Sequence, residues 1–293
     1  VDIHLIDGTY ELFRHFFAVP SARDADGAEV GAMRGVLSSL MYLLEGGATH
    51  VGVATDHVIE SFRNDLWPGY KTSAGVDPDL LSQFWPLEAA AEAMGVRVWA
   101  MVELEADDAL AAAAATAAAD PTVHRVFICT PDKDLAQSVV GDRVVTLDRR
   151  SGAVRDEGGV RDRFGVGPRS IPDWLALVGD SADGFPGIPG WGEKSASKVL
   201  ACYEHLEQIP RAGGTWDVAV RGADRLASAL IGQWEDALLF RDLATLRHAA
   251  RVMGSVEELR WQGPRPEFAE ICARLDAVSL FERAERLAAR RQG

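Results

Sequence analysis

The residues of this chain best suited to chemistry are carboxylates, and they come in tight groups. Glu105, Asp107 and Asp108 crowd into the string Leu104-Glu105-Ala106-Asp107-Asp108-Ala109-Leu110. Asp132 and Asp134 are separated only by Lys133, Asp180 and Asp183 stand close together, and Asp7 and Asp56 stand singly. Acids this close repel one another, so something must make each group tolerable. One answer is a helix N-terminus, whose free N–H groups and dipole favour Asp and Glu in the first turn. The other is a divalent cation, which takes oxygen ligands from clustered carboxylates. For Glu105 to Asp108 alone, with the helix-forming run Ala109 to Ala119 behind it, capping is the simpler account.

The elements that must position these acids change that balance. Ile3 to Ile6 reads as a buried strand ending at Asp7-Gly8, and His50 to Thr55 as a second ending at Asp56. Val96 to Met101 is a third, followed by the Glu105 group. Arg125 to Cys129 is a fourth, followed at once by Thr130-Pro131-Asp132-Lys133-Asp134-Leu135. Helical periodicity lies between them, in Glu11 to Phe17, in Val30 to Leu44, and in Leu80 to Met94 with Leu81, Phe84 and Leu87 on one face. Val19 to Gly27 is a polar loop. Strands alternating with helices imply a parallel sheet whose strand ends share one edge, where such sheets bind ligands. The acids are therefore expected to converge in one cleft. That much like charge is costly unless metal ions neutralise it, and metal binding becomes the favoured reading.

The second half differs in character. Val144 to Leu147 reads as a fifth strand, with a hairpin turn at Ser151-Gly152. Ile171 to Val178 reads as a helix leading into Gly179 to Phe185. The string Gly187-Ile188-Pro189-Gly190-Trp191-Gly192-Glu193-Lys194-Ser195-Ala196 then opens a helix to about Tyr203. A Gly-x-Gly turn at a helix N-terminus presents backbone N–H groups to a phosphate. Lys194 and Lys198, one turn apart, add charge on the same face. A tight inter-helix turn is the plainer alternative. Leu226 to Ala249 and Glu267 to Arg291 read as helical, with Phe268, Ile271, Leu275 and Leu280 turned to the core and the basic end, Arg283 to Arg291, solvated. Phe62-Arg63 and Tyr70-Lys71 place cations beside aromatic rings, which suits phosphate and base contacts, or an ordinary amphipathic helix.

Bulk properties bound these readings. A chain of 293 residues builds one large or two modest domains. No apolar run reaches the length of a membrane span, and no basic-then-apolar leader is seen. The net charge of −14 argues against a polyanionic partner unless the acids hold cations and so present a positive centre. Three scattered cysteines give no disulfide framework and suit a reducing compartment, and the seven histidines show no zinc spacing.

Taken together, the chain resembles the 5′-nuclease family: the N-terminal nuclease domain of bacterial DNA polymerase I, phage 5′-exonucleases and flap endonucleases. The matching strings are Ile6-Asp7-Gly8, Asp56 with Phe62-Arg63 and Tyr70-Lys71, Glu105-Ala106-Asp107-Asp108, Thr130 to Leu135, and Gly179-Asp180 with Asp183 leading to Gly190 to Lys194. The resemblance runs from about residue 3 to 250 and suggests a stand-alone member. It implies an α/β fold, PIN-like with a mostly parallel sheet, over residues 1–170. A helical helix–hairpin–helix DNA-binding region, with C-terminal helices packing back on the core, would occupy 171–293. It implies divalent-metal-dependent 5′→3′ exonuclease activity, with flap endonuclease activity beside it, in DNA repair and replication. Asp7, Asp56, Glu105 and Asp107 match the first metal site. Asp132, Asp134 and Asp183 match the second, with Asp108 and Asp180 in supporting roles.

Two, or three, Mg2+ or Mn2+ ions are implied, one to activate a water and another to stabilise the leaving 3′-oxygen. Lys71 is implied at the scissile phosphate with Arg63 nearby. Arg14, Tyr70, Gly190, Gly192, Lys194 and Lys198 are the implied DNA contacts, and a K+ ion is implied at the Gly190–Gly192 turn. The implied partner is DNA with a 5′ end, flap or nick, or an RNA primer on DNA, with no membrane. The implied location is cytoplasmic, at the bacterial nucleoid.

Three positions depart from the family pattern. Ala74 stands where an Arg is common, and no cation follows Lys71 until Arg97, so the arch over the 5′ strand is short of charge. Gly184 replaces an Asn, and Trp191, which packs either inward or against DNA, replaces a smaller aliphatic residue. Two other readings compete: a PIN-type ribonuclease, which would lack the Gly190–Lys194 module, and a DNA-structure binder that has lost catalysis.

Overall fold

The structure is a computed structural model that describes residues 1–292. The chain opens with β1 (Asp2–Asp7), α1 (Gly8–Ala18), α2 (Gly31–Glu45), β2 (His50–Asp56), α3 (Phe62–Leu66), α4 (Pro78–Leu81) and α5 (Phe84–Ala93). It continues with β3 (Arg97–Met101), α6 (Ala106–Ala119), β4 (Arg125–Cys129), β5 (Val144–Asp148), β6 (Ala153–Arg155), α7 (Glu157–Phe164) and α8 (Ile171–Val178). The last helices are α9 (Glu193–Tyr203), α10 (Ala223–Gly232), α11 (Trp234–Ala244), α12 (Glu267–Arg274) and α13 (Val278–Gln292). Two compact units are distinguishable, one of residues 1–59, 73–130 and 248 onward, the other of residues 60–72 and 131–247.

In the first unit the strands run parallel in the order β3-β2-β1-β4. Leu5 faces Gly52 on one side and Ile128 on the other. Every residue of β2 is buried, as a strand covered on both faces requires. The order reverses between β1 and β4, which makes their carboxyl ends the switch point where such sheets open a crevice. Helix α6 lies against β1, β2, β3 and β4. Its alanines do more than favour helix: Ala109, Ala111, Ala112, Ala113, Ala114 and Ala117 are all buried, and only a methyl lets a helix sit this close. Leu37, Leu40 and Leu44 of α2 are fully buried, each contributing about 1.5–3 kcal/mol.

Three sequence expectations shift here. Helix α1 begins at Gly8, ahead of Glu11, because Asp7 caps it. Helix α6 begins at Ala106, ahead of Ala109. The single helix expected over Leu80 to Met94 is two, α4 and α5, parted at Ser82-Gln83. Pro86 explains the break, since its ring would strike the carbonyl of residue 82 in a continuous helix. The expected solvated basic end is also partly tied down. Arg283 pairs with Glu45 at 2.7 Å, while Arg291 donates to the Ala48 carbonyl at 2.9 Å and lies 5.2 Å over the Trp261 ring.

The second unit holds the β5–β6 hairpin, in which Leu147 faces Val154, and a helical core. Phe185 stacks on Phe240 at 5.7 Å between ring centres, and Leu175, Leu177, Val199 and Leu200 close around them. Helix α8 packs on α9 and α11, and α3 packs on α11. Asp173 of α8 is buried and satisfied three times, by His205 at 2.8 Å, by Arg241 at 3.0 Å and by the Leu206 N–H. Its partners hold the Arg241 guanidinium above its ordinary pKa, Glu207 first among them. Among the described residues no helix is long and apolar enough to cross a membrane, and the three cysteines are free.

Candidate metal centre

In the second unit Asp134, Asp180 and Asp183 offer carboxylate oxygens that all lie within 4.8 Å of one another. Asp134 opens a short 3-10 turn and is 5% exposed. Its Oδ1 is buried with no hydrogen-bond partner. Burial, and then the charges of Asp132, Asp183 and Asp180, push the Asp134 carboxyl well above the usual carboxylate range, with Lys133 opposing. An orphaned oxygen amid three other acids is what a hard cation would satisfy, so this donor set fits a divalent ion. Asp132, more exposed, sits beside the group and accepts the Asp134 N–H at 2.9 Å.

The loop carrying Asp180 and Asp183 is closed on itself. The Asp180 N–H donates to the Phe185 carbonyl at 2.8 Å, and the Gly184 N–H returns to the Asp180 carbonyl at 2.8 Å. Gly187 lies so near Gly179 that a Cβ would come within 2.4 Å of the Gly179 nitrogen, so the two loop ends cross backbone to backbone. Gly184 has φ +83°, and a Cβ there would stand 2.0 Å from the Gly69 carbonyl oxygen. The Gly184 carbonyl accepts the Trp67 indole N–H at 2.9 Å. The glycine found in place of Asn is therefore demanded by its backbone.

Two lysines serve this loop. Lys133 Nζ meets Asp180 Oδ2 at 2.7 Å. Burial works against the Lys133 charge, but the Asp180 bond and the neighbouring acids outweigh it and raise its pKa. Lys71 Nζ meets Asp183 Oδ1 at 3.1 Å. Arg63 is only 1% exposed, and its guanidinium donates to the Leu243 and Thr245 carbonyls at 2.8 and 3.2 Å while lying 4.6 Å over Phe62. These carbonyls belong to the unsatisfied, negative end of α11, where a cation is favoured. Tyr70 is buried in the core of the same unit.

In the first unit the strand-end acids are buried and hydrogen-bonded. Asp7 Oδ1 accepts the Tyr10 N–H at 2.8 Å, and its Oδ2 accepts the Thr130 hydroxyl at 3.0 Å, which links the ends of β1 and β4. Asp56 Oδ1 accepts the Ala106 N–H at 2.8 Å, so an acid at the end of β2 caps α6. Asp108 Oδ2 accepts the Glu105 N–H at 3.0 Å. Capping, the simpler reading of the Glu105 group, is thus present alongside any metal role. Asp107 is half-buried in the first turn of α6.

The Gly190–Gly192 turn leads into α9 with Gly190 exposed at φ +86°. The Gly192 N–H is already taken by Ser195 Oγ at 3.0 Å. Lys194 and Lys198 are exposed. Trp191 packs inward, 7% exposed, with its indole N–H on the Leu226 carbonyl at 3.1 Å. Arg14 pairs with Glu11, and Ala74 is exposed. Thr130 and Lys133 join the site through position, the first directly after β4 and the second between two acids.

Two family models match the chain, "5'-3' exonuclease, N-terminal resolvase-like domain" over residues 2–165 and "5'-3' exonuclease, C-terminal SAM fold" over residues 166–267. DNA polymerase I of Pseudomonas aeruginosa is 34% identical over 274 residues, 90% of this chain and 29% of that protein. A 5'-3' exonuclease of Buchnera aphidicola is 33% identical over 211 residues, 71% of this chain and 69% of that protein. Among solved structures, T5 5'-exonuclease with bound zinc matches with TM-score 0.65 at 14% identity over 99% of both chains. The catalytic core of Rad2 in complex with DNA substrate matches with TM-score 0.63 at 13% identity, over 97% of this chain and 91% of that one. At these identities the two structures speak for the fold, a mostly parallel α/β domain followed by a helical one.

Proposed function

The chain belongs to the 5′-3′ exonuclease family, and from that premise we propose that it is a divalent-metal-dependent 5′→3′ DNA exonuclease with flap endonuclease activity, acting near DNA 5′ ends. The observation that carries the reading is the Asp134, Asp180 and Asp183 group with its orphaned oxygen. Asp132 would join them in holding one ion. Asp7, Asp56, Glu105 and Asp107 would hold another, with Asp108 bracing the start of α6. Mg2+ or Mn2+ is the proposed metal, since all the donors are hard oxygens. Bound there, such ions would supply an activated water and charge stabilisation for in-line phosphodiester hydrolysis.

The chain's own residues do the rest. Lys71 carries its ammonium beside Asp183, where it would face the charge developing on the scissile phosphate. Lys133 fixes Asp180, and Thr130 fixes Asp7. Arg63, whose guanidinium donates to two carbonyls at the end of α11, would act by positioning the segment that leads to Lys71. Lys194 and Lys198, exposed on α9, are proposed to hold duplex phosphates, with K+ at the Gly190–Gly192 turn. The division into a catalytic part, 1–170, and a DNA-gripping part, 171–293, is supported by the meeting of the two family models at residues 165 and 166. The match over 166–267 also weighs against a simple PIN-type ribonuclease.

The test is digestion of 5′-labelled flap, nicked and single-stranded DNA with Mg2+, Mn2+ or EDTA. Metal-dependent release of short products from the 5′ end is expected. Cleavage that persists in EDTA, or none with either metal, would overturn the reading.

A further inference from the structure

Just past Asp56, at the carboxyl end of β2, the rings of His57 and Trp85 lie stacked, 5.0 Å between centres and 10° from parallel. The stack is built rather than incidental. His57 Nδ1 meets Glu88 Oε2 at 2.7 Å, and Glu88 Oε1 accepts the Thr55 hydroxyl at 2.7 Å, so a buried carboxylate sets the imidazole. The Trp85 indole N–H donates to the His57 carbonyl at 3.0 Å, which fixes the second ring over the strand end. Yet Trp85 remains 62% exposed. With one indole face on His57, the other is open to solvent. The Val58 N–H donates to the Met101 carbonyl at 3.2 Å, and the exposed Val58 and Val102 continue an apolar rim on the same sheet edge.

A rigid, flat, solvent-facing indole is an expensive surface to leave bare, and it matches the π-face of a nucleobase. We propose that the His57–Trp85 stack is a platform on which an unpaired base of the substrate's 5′ strand stacks, an inference that rests on the nuclease reading above. Charge supports this occupant. From Thr72 to Val96, the stretch that contains Trp85, there is no Lys or Arg to hold a phosphate. Grip on a single strand must then come from the bases, and stacking tolerates any sequence. A partner protein's acidic segment would find no counter-charge in this stretch.

The experiment measures binding in EDTA, where nothing is cut, to a nicked duplex carrying a short 5′ flap of thymidines or the same flap built from abasic sugars. Wild type should bind the thymidine flap roughly 5- to 100-fold more tightly, the range expected for stacking of a base on an aromatic ring. Trp85→Ala, checked for intact folding by its thermal transition, should bind the two flaps alike, and Trp85→Phe should restore the difference. Equal binding of both flaps by wild type, or a base preference that survives in Trp85→Ala, overturns the platform. So does a wild-type dimer that Trp85→Ala dissociates without any base preference. Cleavage with Mg2+ is scored separately: wild type that prefers thymidines but cuts nothing sinks the nuclease reading and leaves the platform standing.

Discussion

Lys71 and Asp183 are joined twice. The Lys71 backbone N–H donates to the Asp183 carbonyl at 3.0 Å, and the Lys71 ammonium meets Asp183 Oδ1 at 3.1 Å. The Asn64 side-chain amide donates to the Lys71 carbonyl at 3.0 Å and holds the segment from the other side. A flexible four-carbon side chain is thereby anchored at both ends next to an acid that would bind metal. That removes much of the entropy cost of aiming its charge.

Replacing Lys71 by Ala should lower kcat roughly 10²- to 10³-fold with little change in KM, because the charge it would meet develops only in the transition state. Single-turnover cleavage of a nicked duplex measures this. A loss confined to KM would assign Lys71 to ground-state binding instead.

Asp132→Ala should abolish hydrolysis while DNA binding stays measurable. Asp132 is exposed at the surface of its unit, so its loss should not unfold it. Gel assays of cleavage and of binding, run side by side, decide it, and undiminished cleavage would remove Asp132 from the metal set.

Arg63→Ala should destabilise the protein by about 2–5 kcal/mol, since it strips two carbonyls of a buried, charge-assisted partner. Lys cannot replace the guanidinium fork, so Arg63→Lys should recover little. Urea unfolding gives the stability. Normal stability with lost activity would return Arg63 to the substrate.

Asp134 predicts a pH effect. Its carboxyl is held well above the ordinary range, so the folded protein binds that proton more tightly than the unfolded chain does. Its contribution to stability is full below about pH 4, the ordinary Asp value, and is lost as pH climbs through the raised value. In EDTA, Asp134→Asn should therefore melt a few degrees higher than wild type at neutral pH and should flatten this decline. Adding Mn2+ should raise the melting temperature of wild type more than that of the variant, which keeps only the Asp7, Asp56, Glu105 and Asp107 site. A variant that melts lower than wild type in EDTA at neutral pH would contradict the strain assigned to this group.

Gly184→Asn, which restores the residue common in the family, should harm this protein. The backbone sits at φ +83° and a Cβ would meet the Gly69 carbonyl at 2.0 Å. A loss of at least about 1–3 kcal/mol is expected, with the Asp180 to Phe185 loop loosened. Thermal melts and cleavage rates check it, and a fully stable, active variant would show that this loop can re-form around a side chain.

The sequence by itself determined the strands, their parallel order of acids, and the family. Apolar runs of strand length, each ending in a carboxylate, leave few ways to arrange an α/β chain. Capping and metal binding also draw on the same residues, so Glu105 to Asp108 could be flagged from spacing alone. Tertiary structure decided the roles. Asp56 caps a helix some fifty residues further along the chain. Arg63 is buried on α11. Lys133 is spent on Asp180, and Trp191 turns inward on Leu226. Each of these partners is distant in sequence, and hydrogen bonding and burial depend on where the backbone carries a side chain, which local pattern does not encode. The exposed Trp85 is the plainest case. Nothing in its helical stretch singles it out, and only the His57 ring beneath it and the solvent above it give it the use proposed.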